Sequence, residues 1–131
     1  MQRKEVTATF GIQRLERGLA YIERTPEDEE PQDLPTLAVR VLDAYSVKPL
    51  DAEGVRAAAA ACEGRVLVVE DHFPEGGLGD AVGEVLAETG GARLRKLAVR
   101  ELPHSGRPEE LLDRYGLSGE KIAQAVRDFV G

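Results

Sequence analysis

The sequence predicts a three-layer α/β/α domain built on a mostly parallel or mixed sheet. Three observations carry that expectation. Strand and helix signals alternate from Leu37 onward, the pattern of parallel strands joined by helical crossovers. The run Val66-Leu67-Val68-Val69 is unbroken and rich in branched residues, as a strand covered on both faces requires. It leads into Gly76-Gly77-Leu78-Gly79, a turn that opens a helix. A chain of 131 residues can enclose a core without staples. With aromatics at 5% and no Trp, aliphatic side chains have to fill that core.

The elements follow in order. Val6 to Phe10 reads as a short strand, and Ile12, Leu15, Leu19 and Ile22 recur at helical spacing, interrupted by Gly18. Thr25 to Pro35 holds Pro26, Pro31 and Pro35 among acidic residues, which marks a solvated loop. Leu37 to Leu42 is the next strand. Pro49 then marks a turn, and Asp51 stands where its carboxylate can cap an Ala-rich helix over Ala52 to Cys62. Gly64 stops that helix, and Arg65 to Glu70 is the buried strand. The helix opened by the glycine turn carries Ala81, Val82, Val85 and Leu86 on one side and ends at Gly90-Gly91. Leu94 to Val99 is a strand whose Arg93, Arg95 and Lys96 are expected on its solvated side. Pro108 suits a first helical turn, and Ser118 suits the cap of a last helix with Ile122, Ala125, Val126 and Phe129 inward. This divides the chain into a strand–helix unit with an acidic loop over residues 1–35 and an α/β unit over 36–131, together one compact domain.

A net charge of −7 argues against nucleic-acid or anionic-lipid partners, which need a basic surface. No stretch is long enough to span a bilayer, and no apolar core follows the first five residues. Cys62 is the only cysteine, so no internal disulfide forms. A cytoplasmic protein is expected.

Each motif admits a chemical and a structural reading. The Gly76 to Gly79 turn could hold an anion on free N–H groups. It lacks the Gly-Lys-Ser/Thr of a phosphate loop, Val82 stands where a dinucleotide fingerprint has its third glycine, and Glu70, Asp71, Glu75 and Asp80 surround it. The structural reading is that these glycines let backbone approach backbone. Glu70-Asp71-His72 falls at a strand end, where α/β sheets keep their sites. His104 is far along the chain and gives His72 no partner at ligand spacing, so a turn-bonding or partner-facing histidine is expected over a metal ligand. His104-Ser105 lacks a nucleophile elbow and reads as a polar loop. Cys62 reads as a small core residue. Arg107 and Arg114 are placed to pair with nearby carboxylates.

Together these segments resemble one family. Val47-Lys48-Pro49-Leu50-Asp51 is similar to the strand-exit turn of transketolase C-terminal domains. Val69-Glu70-Asp71-His72-Phe73, followed by Gly76-Gly77-Leu78-Gly79 and Ala81-Val82, resembles the family's most recognisable segment. Ser105-Gly106, Pro108, Glu110-Leu111-Leu112, Tyr115-Gly116-Leu117 and Ile122-Ala123-Gln124-Ala125-Val126 are similar to its tail. Order and spacing fit from Val39 to Val130. Residues Met1 to Pro35 depart from the pattern, with Arg14, Glu16, Arg17 and the acidic loop where the family shows a small-residue turn and an Ala-rich helix.

The resemblance implies a role in transferring two-carbon ketol units between sugar phosphates. It also implies thiamine diphosphate with Mg²⁺ or Ca²⁺, bound in the complete enzyme by two other domains. No catalytic, cofactor-binding or metal residue of the family maps onto this chain, and no cofactor is expected on it. The expected role is structural, regulatory or in dimer contacts, with thiamine-binding domains, their subunit or a second copy as partner. Glu70, Asp71, His72, Gly76, Gly77 and Gly79 form the corresponding turn. The rival reading is a stand-alone module binding an anion or small metabolite at Gly77.

Overall fold

A computed structural model describes residues 5–10 and 37–131. Four strands form one parallel sheet: β1 Glu5–Phe10, β2 Ala38–Asp43, β3 Arg65–Val69 and β4 Arg93–Leu97. Their order is β2-β1-β3-β4, with Ala8 opposite both Val41 and Leu67, and Val68 opposite Lys96. The strand expected at Val6 to Phe10 is therefore a central one. The helix expected over Ile12 to Ile22 and the loop over Thr25 to Pro35 lie outside the described residues.

The described residues add four helices: α1 Ala52–Ala61, α2 Leu78–Thr89, α3 Pro108–Arg114 and α4 Gly119–Val130. Alternation along β3 divides the core between two faces. Val66 and Val68 pack with Val55, Ala59, Leu78, Val82 and Leu86 beneath α1 and α2. Leu67 and Val69 pack with Leu117, Ile122, Ala125, Val126 and Phe129 beneath α4. This is the three-layer arrangement expected, with every described strand parallel.

Local chemistry sets the helix ends. Asp51 accepts the Gly54 N–H at 2.9 Å and caps α1. Gly64 sits at φ +75° and donates its N–H to the Ala59 carbonyl at 2.8 Å, closing the same helix. Pro108 occupies the first turn of α3. Ser118 stands at the N-cap position of α4, but its hydroxyl is 2.9 Å from Asp113 Oδ1 and makes no cap bond. Cys62 is fully buried.

The chain leaves β1 toward β2 on one side and reaches β3 on the other. The C-terminal ends of β1 and β3 therefore flank a topological switch point, where open α/β sheets leave a crevice. Glu70 follows β3 at this place.

Candidate functional site

Glu70 is the one buried charged residue among those described, at 2% exposure. Its N–H donates to the Leu97 carbonyl at 2.9 Å, prolonging the β3–β4 ladder by one residue. Its side chain turns to the start of α2, where Oε2 accepts the Gly79 N–H at 3.1 Å. The N-cap of α2 is Gly77, which offers no side-chain acceptor. A carboxylate from the strand therefore satisfies an open helix N–H and lies at the positive end of the helix dipole. The other oxygen, Oε1, is buried without a hydrogen-bond partner.

His72 bonds the turn, as the sequence suggests. Its Nδ1 is 2.6 Å from the Phe73 carbonyl, and its Nε2 is 3.3 Å from Glu70 Oε2. The pair has the composition of a general base, but Glu70 is closed off from solvent and cannot meet a substrate atom. Asp71 is exposed on the same turn.

The three turn glycines serve different needs. Gly76 adopts φ +71°, and its N–H donates to Asp80 Oδ2 at 2.6 Å. Gly77 keeps a negative φ of −98°. A side chain at Gly77 would collide with the His72 ring and Glu70 Oε2. One at Gly79 would meet Lys96 Cγ and Glu70 Oε1 at 2.8 Å. The expectation of backbone approaching backbone is corrected in detail: three side chains close upon the helix backbone.

Lys96 was expected in solvent and is not. It shares the α2 face of β4 with Leu94, and its stem crosses Gly79 while its ammonium donates to the Pro74 carbonyl at 3.1 Å and Asp80 Oδ1 at 2.5 Å. The Lys96 hydrogen bond first, then the Gly76 N–H, holds the Asp80 carboxyl below its ordinary 3.8. Arg95 faces the other way and donates to the Ala125 carbonyl at 3.3 Å, and Arg93 lies over the Phe129 ring. The edge strand buries apolar stems on both faces and anchors the charged heads at the rim. The sequence signal for Lys96 was its position, two residues after inward-facing Leu94.

His104 and Ser105 lie in an exposed loop, where the His104 N–H donates to the Tyr115 hydroxyl at 2.8 Å. Arg114 pairs with Glu101 at 2.8 Å and Arg107 with Glu110 at 4.0 Å.

A family model described as the transketolase C-terminal domain matches residues 33–122. The chain belongs to the transketolase C-terminal domain family. Among its relatives, rat transketolase is 45% identical over 94 residues, 72% of this chain and 15% of that protein. Mouse transketolase is 39% identical over 116 residues, 88% of this chain and 18% of that protein. A solved split-gene transketolase, an inactive β4 tetramer, superposes with a TM-score of 0.80 at 29% identity, over 98% of this chain and 40% of that one. The transketolase domain seen here thus spans a small part of the length of its mammalian relatives.

At the start of α2 the Gly79 N–H is already taken by the Glu70 carboxylate, so it is not open to an added anion. Among the described residues no three His, Cys, Asp or Glu side chains gather as a metal site requires. No helix there is long and apolar enough to cross a membrane.

Proposed function

We propose that this chain is the C-terminal domain, or a subunit containing that domain, of a cytoplasmic transketolase. It serves structure, dimer contacts or regulation. Two-carbon ketol transfer between sugar phosphates, with thiamine diphosphate and Mg²⁺ or Ca²⁺, belongs to the complete enzyme. The turn Glu70, Asp71, His72, Gly76, Gly77 and Gly79 holds α2 against the sheet and shapes the edge offered to the rest of that enzyme.

The observation that carries this reading is the Glu70 carboxylate at the start of α2. An anion placed on the Gly77 turn would meet a buried negative charge at the N–H groups it needs. That counts against the stand-alone binding module. The test is the mass of the chain in solution, alone and with human transketolase shortened by its own C-terminal domain. A stable complex with the shortened enzyme is expected. Saturable sugar-phosphate binding with no such complex overturns the reading.

A further inference from the structure

We infer that the basic residues of β4 guard its outer edge against pairing with the β4 edge of a second copy of the chain, and that Arg100 completes the guard by holding the Lys96 carbonyl.

Among the described strands β4 stands at one end of the order β2-β1-β3-β4. Main-chain groups point to alternate sides from one strand residue to the next. On the inner side, the Arg93 N–H donates to the Gly64 carbonyl at 2.8 Å, and the Leu97 carbonyl accepts the Glu70 N–H at 2.9 Å. Leu94 and Lys96 therefore turn their N–H and C=O groups outward. Such a row is a template for another strand unless something blocks it.

The blocking groups are cations. From Arg93 to Arg100 the sequence runs Arg-Leu-Arg-Lys-Leu-Ala-Val-Arg, with no acid, in a chain of net charge −7. Arg93 lies 5.2 Å from the Phe129 ring centroid. Arg95 and Arg100 donate to the carbonyls of Ala125 and Lys96 at 3.3 and 3.2 Å. These partners carry no net charge, so the contacts place the guanidinium groups without neutralising them.

The same edges of two copies, related by a two-fold axis, pair antiparallel. Each alignment that joins the outward groups sets cation against cation. Leu94 opposite its own copy puts Arg93 against Arg95 on both sides. Leu94 opposite Lys96 puts Arg95 against Arg95, and Lys96 opposite its own copy puts lysine against lysine. Like charges directly opposite destabilise a strand pair. The last two alignments also need the carbonyl that Arg100 holds.

The experiment compares wild type with an Arg93→Thr, Arg95→Thr, Arg100→Thr variant and with Arg100→Thr alone. The control, Lys48→Thr, Arg107→Thr, Arg127→Thr, removes the same charge at exposed positions away from β4. Thermal melts establish folding. Sedimentation over a range of concentrations then measures association beyond the wild-type state, and amide hydrogen exchange follows Leu94 and Lys96. The triple edge variant should associate more tightly than wild type and control by roughly tenfold or more, with slowed exchange at both amides. Arg100→Thr should move the same way by less. A folded edge variant that associates no more than the control overturns the inference. So does association that leaves the Leu94 and Lys96 amides unprotected. If the triple variant does not fold, Arg100→Thr decides by the same two readouts.

Discussion

Glu70 and Gly79 are nine residues apart and are joined by a 3.1 Å hydrogen bond from the Gly79 N–H to the Glu70 carboxylate. That bond ties the end of the central buried strand to the start of α2. It also places a negative charge where the helix dipole favours one.

Removal of the carboxylate is expected to destabilise the fold. Glu70→Ala leaves a buried N–H unpaired and should lower stability by about 1–3 kcal/mol. Glu70→Gln keeps an acceptor and should lose less. Urea melts of the two variants check the order, and equal loss in both would mean that Gly79 is satisfied in another way.

Gly79 is expected to tolerate no side chain while Glu70 and Lys96 stand as they do. Gly79→Val should lose about 1–3 kcal/mol through overpacking. Part of that loss should disappear in a Lys96→Ala background, with a coupling of about 0.5–3 kcal/mol. Strict additivity in the double-mutant cycle would show that the Lys96 stem does not crowd Gly79. Gly90 is not the lenient site that a surface turn suggests, because it lies at φ +69° and ψ 174°. Gly90→Ala should itself lose about 1–3 kcal/mol from backbone strain.

Asp51 is expected to hold the start of α1. Its carboxylate accepts the Gly54 N–H at 2.9 Å, so Asp51→Ala should lose about 0.5–2 kcal/mol. An unchanged urea midpoint would place the helix start elsewhere.

The acid limb of stability should report on exposed carboxylates. Lys96 and the Gly76 N–H hold Asp80 below its ordinary 3.8, and Lys121 with Ser118 does the same for Asp113. A carboxyl depressed by folding contributes above its unfolded value, and that contribution is lost as pH falls through its folded value. Urea midpoints followed downward from pH 6 should therefore fall less steeply for Asp80→Asn than for wild type. Both groups are open to solvent, so added salt should shrink the difference. Identical acid limbs would remove the Lys96–Asp80 pair as a contributor.

Much of this fold was legible because its strongest signals are local. The apolar run at Val66, the Asp51 cap and the first-turn Pro108 each depend on a few neighbouring residues. The signature turn was legible as a place, but not in its workings. Glu70 reads as one more acid in an acidic segment, and only the fold shows that it turns inward to Gly79. The same holds for Lys96, which the strand places over Gly79 and beside Asp80. Ser118 shows the reverse: it has the right type and position for a cap, yet Asp113 takes its hydroxyl.

The proposed function leaves ketol transfer to the complete enzyme and none to this chain alone. The measurement is ketol transfer by the purified chain, supplied with thiamine diphosphate, Mg²⁺ and pentose phosphates. Turnover equal to a no-protein control is expected under the proposed function, because the cofactor performs the carbanion chemistry and the complete enzyme is proposed to hold it outside this domain. Turnover clearly above that control, lost on denaturing the chain, would contradict it.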